Sequence, residues 1–223
     1  SFAENKPLDQ LMREILSEDG SNAATRPAMK FYLVRGAADY KTWALDVGRL
    51  VQGRNLECAQ CHDHPAIDDF KQAEFYGLVA FLNRSYLHRN KADNAAFLLE
   101  KDTGPPIEFT SESRLARPQI LGGPVVDIPE LEKGTEPQDA ATEGLPKSQF
   151  SLRPLLAEQI ASSSNRAFSR NLANRLWAMM MGRGLVHPLD MHHSGNPASH
   201  PELLDALADE LVASRFNVRH LLR

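Results

Sequence analysis

The stretch Leu56-Glu57-Cys58-Ala59-Gln60-Cys61-His62-Asp63-His64-Pro65 decides the reading, because it holds both cysteines of the 223-residue chain. Two thiols separated by two residues and followed at once by a histidine form the pattern of covalent c-type haem attachment. The chemistry asks for this spacing. Two thiols add to the two vinyl groups on one porphyrin edge, and the adjacent imidazole reaches the iron from that side. Cys58, Cys61 and His62 are therefore expected to hold one haem c, with His62 as its proximal iron ligand. Three other readings use the same residues. A structural zinc site would pair Cys58 and Cys61 with histidines such as His62 or His64, but zinc usually shows a second ligand pair at regular spacing, and the next histidine is His88. A redox-active dithiol wants a βαβ context, which the pattern does not offer. The plainest reading is two unmodified thiols in a helical protein.

On the N-terminal side, Leu8, Leu11, Ile15 and Leu16 recur at helical spacing over 7–17, with Pro7 at the first turn where its missing N–H matters least. A second helix is expected over 38–52, closed by Gly53. Beyond the motif, Asp69 is expected to cap a third helix carrying Phe70, Phe75, Leu78, Val79, Phe81 and Leu82.

From 89 to 148 the texture changes. Prolines at 105, 106, 118, 124, 129, 137 and 146, with interspersed glycines, forbid long helices. Short strands are expected at 96–100 and 107–110, turned by Asp102-Thr103-Gly104. Helical periodicity returns over 152–162, 165–181 and 201–214, the last with Ser199 as cap and Glu202 at the capping-box position. The fold class that follows is mainly α: two helical segments, 1–88 and 149–223, around a c-type haem and joined by an irregular arm with minor β structure.

Composition narrows the function. Hydrophobic residues at 42% and charged residues at 24% describe an ordinary globular chain. A formal charge of -4 with scattered basic residues argues against nucleic-acid binding, and no apolar run approaches the ~20 residues of a membrane span. No phosphate-binding loop, nucleophile elbow or His-Glu-x-x-His helix is present. Asp63, Asp68 and Asp69 lie close to the motif, where loop acids are more often caps or solvent-facing groups than acid/base catalysts. The N-terminus lacks the pattern of a signal peptide, and the C-terminus stops inside a helical pattern, so a processed piece or fragment is expected.

The motif, followed by Phe75-Tyr76-Gly77-Leu78-Val79-Ala80-Phe81-Leu82, resembles the cytochrome-c-like domain of large proteins abundant in Planctomycetes and their relatives. Asn174-Arg175-Leu176-Trp177, Gly182-Arg183-Gly184-Leu185-Val186 and Pro201-Glu202-Leu203-Leu204-Asp205 resemble the partner domain that follows it in those chains. The resemblance implies an exported, periplasmic or extracellular protein, part of a longer polypeptide or a complex. It supplies no reaction.

The second axial position decides what such a haem does. His64 is too close to His62 to reach the opposite face, which leaves it a propionate or structural hydrogen bond. His187, His192, His193 and His200 crowd into a loop, and His192 is the reserve ligand among them. The proteins the chain resembles commonly carry a histidine two residues after the Trp of Asn-Arg-x-Trp. Here that slot holds Met179, the expected distal ligand, with Met180 and Met181 beside it. Arg175, one helical turn before Met179, is placed to reach a haem propionate. The leading function is single-electron transfer to a redox partner protein. The alternatives are haem catalysis or small-ligand sensing at an open distal site, or a structural zinc module.

Overall fold

Pro7 opens α1 (Leu8–Ser17), which buries Leu8 and Leu16 as the periodicity requires. The computed structural model of the chain describes residues 4–34, 39–90, 94–110, 114–131, 145 and 147–223. Among them are eight α-helices and one two-stranded antiparallel sheet, so the architecture is mainly α. A 3-10 turn, Arg26–Met29, runs into the one-turn α2 (Lys30–Leu33), an element the periodicity does not announce. The side chain of Asp39 caps α3 (Tyr40–Asp46) by accepting from the Lys41 and Thr42 amides. The helical path continues through a wider π turn, Val47–Val51, before Gly53 turns the chain at φ 72°.

The cap of α4 (Gln72–Leu82) differs from expectation. Lys71 is the extended residue before the helix, and Asp63, not Asp69, accepts from the Gln72 amide at 2.8 Å. Phe70 turns into the core, and Asp69 is left facing the 187–196 loop, where it takes Ser194 instead. The sheet is also corrected. β1 (Ser85–Arg89) pairs with β2 (Ala96–Glu100), His88 opposite Phe97, while 107–110 contributes only an isolated bridge between Glu108 and Leu115. That stretch spends its backbone locally, Phe109 donating to the Arg114 carbonyl and Ala116 to the Ile107 carbonyl, whereas β1 follows α4 directly and folds back on β2. Within the expected arm, 132–144 lie outside the described residues.

The C-terminal helices fall where expected: α5 (Arg153–Ile160), α6 (Arg166–Met181) and α7 (Pro201–Ala213), followed by the short α8 (Val218–Leu221). Asn165 caps α6, and Gly182 ends it in the left-handed conformation at φ 80°. Ser199 does not cap α7. His200 holds that position without a side-chain capping bond, and the Ser199 amide donates to the Leu185 carbonyl at 2.8 Å.

The two helical segments share one core. Trp43, Phe75, Phe81, Leu156, Ile160 and Phe168 are buried in a single cluster that also takes in Leu98 and Ile120 from the stretch between them. Arg153 ties this junction together by donating to the Glu18 carbonyl at 2.8 Å and the Leu98 carbonyl at 2.6 Å. A smaller cluster of Ala173, Leu185, Val186, Leu204 and Ala208 seats α7 on α6.

Candidate functional site

The motif lies on a 3-10 turn, Cys58–Gln60, pinned from below by buried Leu56 and Ala59. That anchoring leaves Cys58 and Cys61 on the outer side, both free thiols and both exposed. The turn is bolted at its rear: Tyr76 Oη donates to the Gln60 carbonyl at 2.9 Å, and Thr110 Oγ1 to the Cys61 carbonyl at 2.5 Å.

His62 is exposed, and its Nδ1 lies 2.7 Å from the Asp63 carbonyl oxygen. A carbonyl can only accept, so Nδ1 carries the proton and the Nε2 lone pair of the neutral ring is available to a metal. The Asp63 carboxylate, accepting from the Gln72 amide and paired with Lys71 at 3.2 Å, is held below the usual carboxylate range. His64 has a different task. Its Nδ1 accepts from the Ala66 amide at 3.1 Å, and its amide donates to the Phe70 carbonyl, closing the loop after the motif.

Beside this loop stands buried Phe70, edge-on to His64 on one side and to His193 on the other. The Arg54 guanidinium lies 5.4 Å from the Phe70 ring. It donates to both oxygens of Glu74, at 3.1 and 3.0 Å, and to the Asp69 carbonyl at 2.9 Å. Burial pushes the Glu74 carboxyl up to about 7 despite the opposing pull of Arg54.

The 187–196 loop is what the C-terminal segment brings here. The Asn55 amide donates to the Asp190 carbonyl at 2.8 Å, and Ser194 donates to Asp69 through its amide at 2.8 Å and its hydroxyl at 2.5 Å. Asn171 reaches down to the Leu50 and Val51 carbonyls at 2.9 and 2.8 Å. Asn174 brackets Val186, accepting from its amide and donating to its carbonyl, each at 2.9 Å. Arg175 is spent in the same seam, on the Arg49 carbonyl at 2.7 Å and on Asn171 Oδ1 at 3.1 Å.

Cys58, Cys61 and His62 are thus brought together, with His64, Phe70 and His193 alongside. Met179 is not brought to them: it stands 79% exposed in the last turn of α6, with Met180 and Met181 also exposed. His192 sits in the loop near the motif, partly buried, with Nε2 at 3.3 Å from Asn174 Nδ2. Among the described residues no three His, Cys, Asp or Glu side chains are grouped to hold a metal ion. No described helix is long and apolar enough to cross a membrane. Periodicity and motifs do not single out Arg54 or Asn171, and they give Asn174 no role beyond the family resemblance. Two asparagines three apart on the buried face of a helix were the available signal, since buried amides need dedicated partners.

Residues 1–86 match the family model PSCyt2, described as a protein of unknown function (DUF1549). Residues 152–223 match PSD1, described as a protein of unknown function (DUF1553). The two matches fall on the two helical segments, and their pairing is the one the sequence resemblance implies. No curated protein and no solved structure matches the chain.

Proposed function

We propose that the chain is a c-type haem protein that carries single electrons. The reading rests on one arrangement: two exposed thiols on one anchored turn, beside an imidazole whose Nδ1 is bonded to the Asp63 carbonyl. Cys58 and Cys61 would hold the group, each thiol adding across one vinyl group with its proton passing to the neighbouring vinyl carbon, so that no oxidant would be consumed. A haem held there supplies a one-electron ferric/ferrous couple. The protein's part would be to leave both thiols exposed and to fix the His62 tautomer so that Nε2 keeps its lone pair. The buried Leu56 and Ala59 keep that turn from re-orienting. The PSCyt2 match supports a cytochrome-like reading of this half of the chain.

The residues that would complete the ligand set of such a haem are Met179, which is exposed at the end of α6 and not brought to the thiols by the fold, and His192, which lies in the loop near them with its ring against Asn174. The partner in this reading is a redox protein, and the compartment is the exported side of a bacterial membrane, where thioether attachment takes place. Expression with a cytochrome maturation system, followed by intact mass and acid-acetone extraction, tests it. The expected result is one haem retained per chain and lost when Cys58 and Cys61 are both changed to Ser. A bare-chain mass that rises only on adding zinc overturns it.

A further inference from the structure

A second cavity lies at the C-terminal end of α6, where Gly182 ends the helix at φ 80° and the chain turns back through 183–187. A Cβ on Gly184 would lie 2.5 Å from the Val186 carbonyl oxygen, so this turn is drawn tight. The Ser199 amide donates to the Leu185 carbonyl at 2.8 Å, and Asn196 Nδ2 donates to the His187 carbonyl at 3.4 Å. Those bonds fix the 196–200 stretch against the turn. The cavity that the two stretches and the helix end enclose measures about 530 Å³.

Its wall has an apolar part and a donor part. Trp177, Met181 and Leu185 supply apolar surface, while Arg183, His187 and His200 supply donors. Arg183 and His187 are exposed, and neither side chain has a hydrogen bond or ion pair among the described residues. Trp177 is partly buried, and its Nε1 donor has no partner among them either, although buried indoles usually find one. His200 meets Ser199 Oγ through Nδ1 at 3.2 Å and keeps Nε2 free. No Asp or Glu lines the cavity, and Glu202, two residues beyond His200, is exposed outside its wall. A guanidinium that no carboxylate has claimed can take both oxygens of one. The indole and thioether beside it suit a flat apolar body.

We propose that this cavity binds a small organic carboxylate with a flat apolar body, its oxygens on Arg183 and its body against Trp177 and Met181. The site shares no residue with the thiol turn and does not rest on haem attachment.

The chain has two tryptophans, and Trp43 is fully buried in the core, so the two indole N–H signals of a proton–nitrogen correlation spectrum tell binding here from binding elsewhere. The full chain is titrated at constant ionic strength with sodium benzoate, with acetate as the charge without the body, and with benzyl alcohol as the body without the charge. Benzoate should saturate one-to-one and shift the Trp177 signal while that of Trp43 stays in place. Acetate and benzyl alcohol should each bind about tenfold more weakly or less well still. Arg183→Gln should weaken benzoate about tenfold without moving the melting temperature, because the side chain it removes is exposed and unpartnered. Met181→Glu, at a position 63% exposed, places a carboxylate on the wall and should weaken benzoate too. Absence of saturable binding, acetate or benzyl alcohol matching benzoate, a shift at Trp43 alone, or affinity unchanged in either variant overturns the proposal.

Discussion

The amide of His192 donates to the carbonyl of Gly53 at 3.0 Å, and a Cβ built on Gly53 would lie 2.7 Å from His192 Cδ2. This contact is one of those that close the seam between the two segments, and it lies within a few residues of the thiols. It requires glycine twice, once for the approach and once for φ 72°. Gly53→Ala should therefore destabilise the fold by roughly 1–3 kcal/mol, read as a shift in the urea midpoint. A midpoint unchanged from the parent would mean that the seam yields freely.

Asn174 offers the complementary measurement on the other face of that seam. It is fully enclosed and bonds both polar atoms of Val186. Asn174→Ala leaves a buried amide and carbonyl without partners, which should cost about 2–4 kcal/mol. Denaturant unfolding measures it, and Asn174→Asp should recover only the bond from the Val186 amide.

The pH dependence of stability carries two opposed signatures. Glu74 is raised to about 7 by burial, so the folded state holds its proton more tightly than the unfolded chain. Its contribution is present at low pH and is lost as pH rises from the ordinary carboxylate range through 7. His192 is depressed to about 4, so its contribution is present above its ordinary value of 6.5 and is lost as pH falls towards 4. The two slopes oppose each other between these limits. Glu74→Gln should unmask a stability that climbs with pH over 4 to 6.5, and unfolding midpoints at pH 4.5, 5.5 and 6.5 will show whether it does.

Met179 can be probed without disturbing the fold. At 79% exposure, truncation to Ala should change stability by less than about 0.5 kcal/mol. The cost of several kcal/mol that burial would give Met180→Ala or Met181→Ala is likewise not expected, since both side chains are exposed. In the haem-loaded protein, Met179→Ala should remove the weak charge-transfer band of a thioether-ligated ferric haem and open the iron to cyanide. An unchanged spectrum would assign the axial position to another group, with His192→Ala the next variant.

Replacing Thr110 tests the mounting of the motif. Its hydroxyl holds the Cys61 carbonyl and also accepts from Gln72 Nε2 at 2.5 Å. Thr110→Val keeps the shape and removes both bonds. Haem yield per chain should fall while far-ultraviolet circular dichroism stays the same.

What the sequence alone determined is local. The limits of α1, α5, α6 and α7 follow from apolar periodicity and from turn residues such as Gly182, because helix formation depends on neighbours three and four residues away. The haem pattern at Cys58, Cys61 and His62 is legible for the same reason, since its chemistry needs only adjacent residues. Tertiary structure alone decided the rest. β2 takes β1 as its partner because that strand emerges from α4 beside it, and Asp69 serves Ser194 because a loop over a hundred residues away lands on it. Arg175 and Asn171 turn to the backbone of the first segment only once the two segments share a core. No local spacing encodes those meetings. They arise because apolar surface on both segments is buried together, and the polar groups carried into the seam must then find each other.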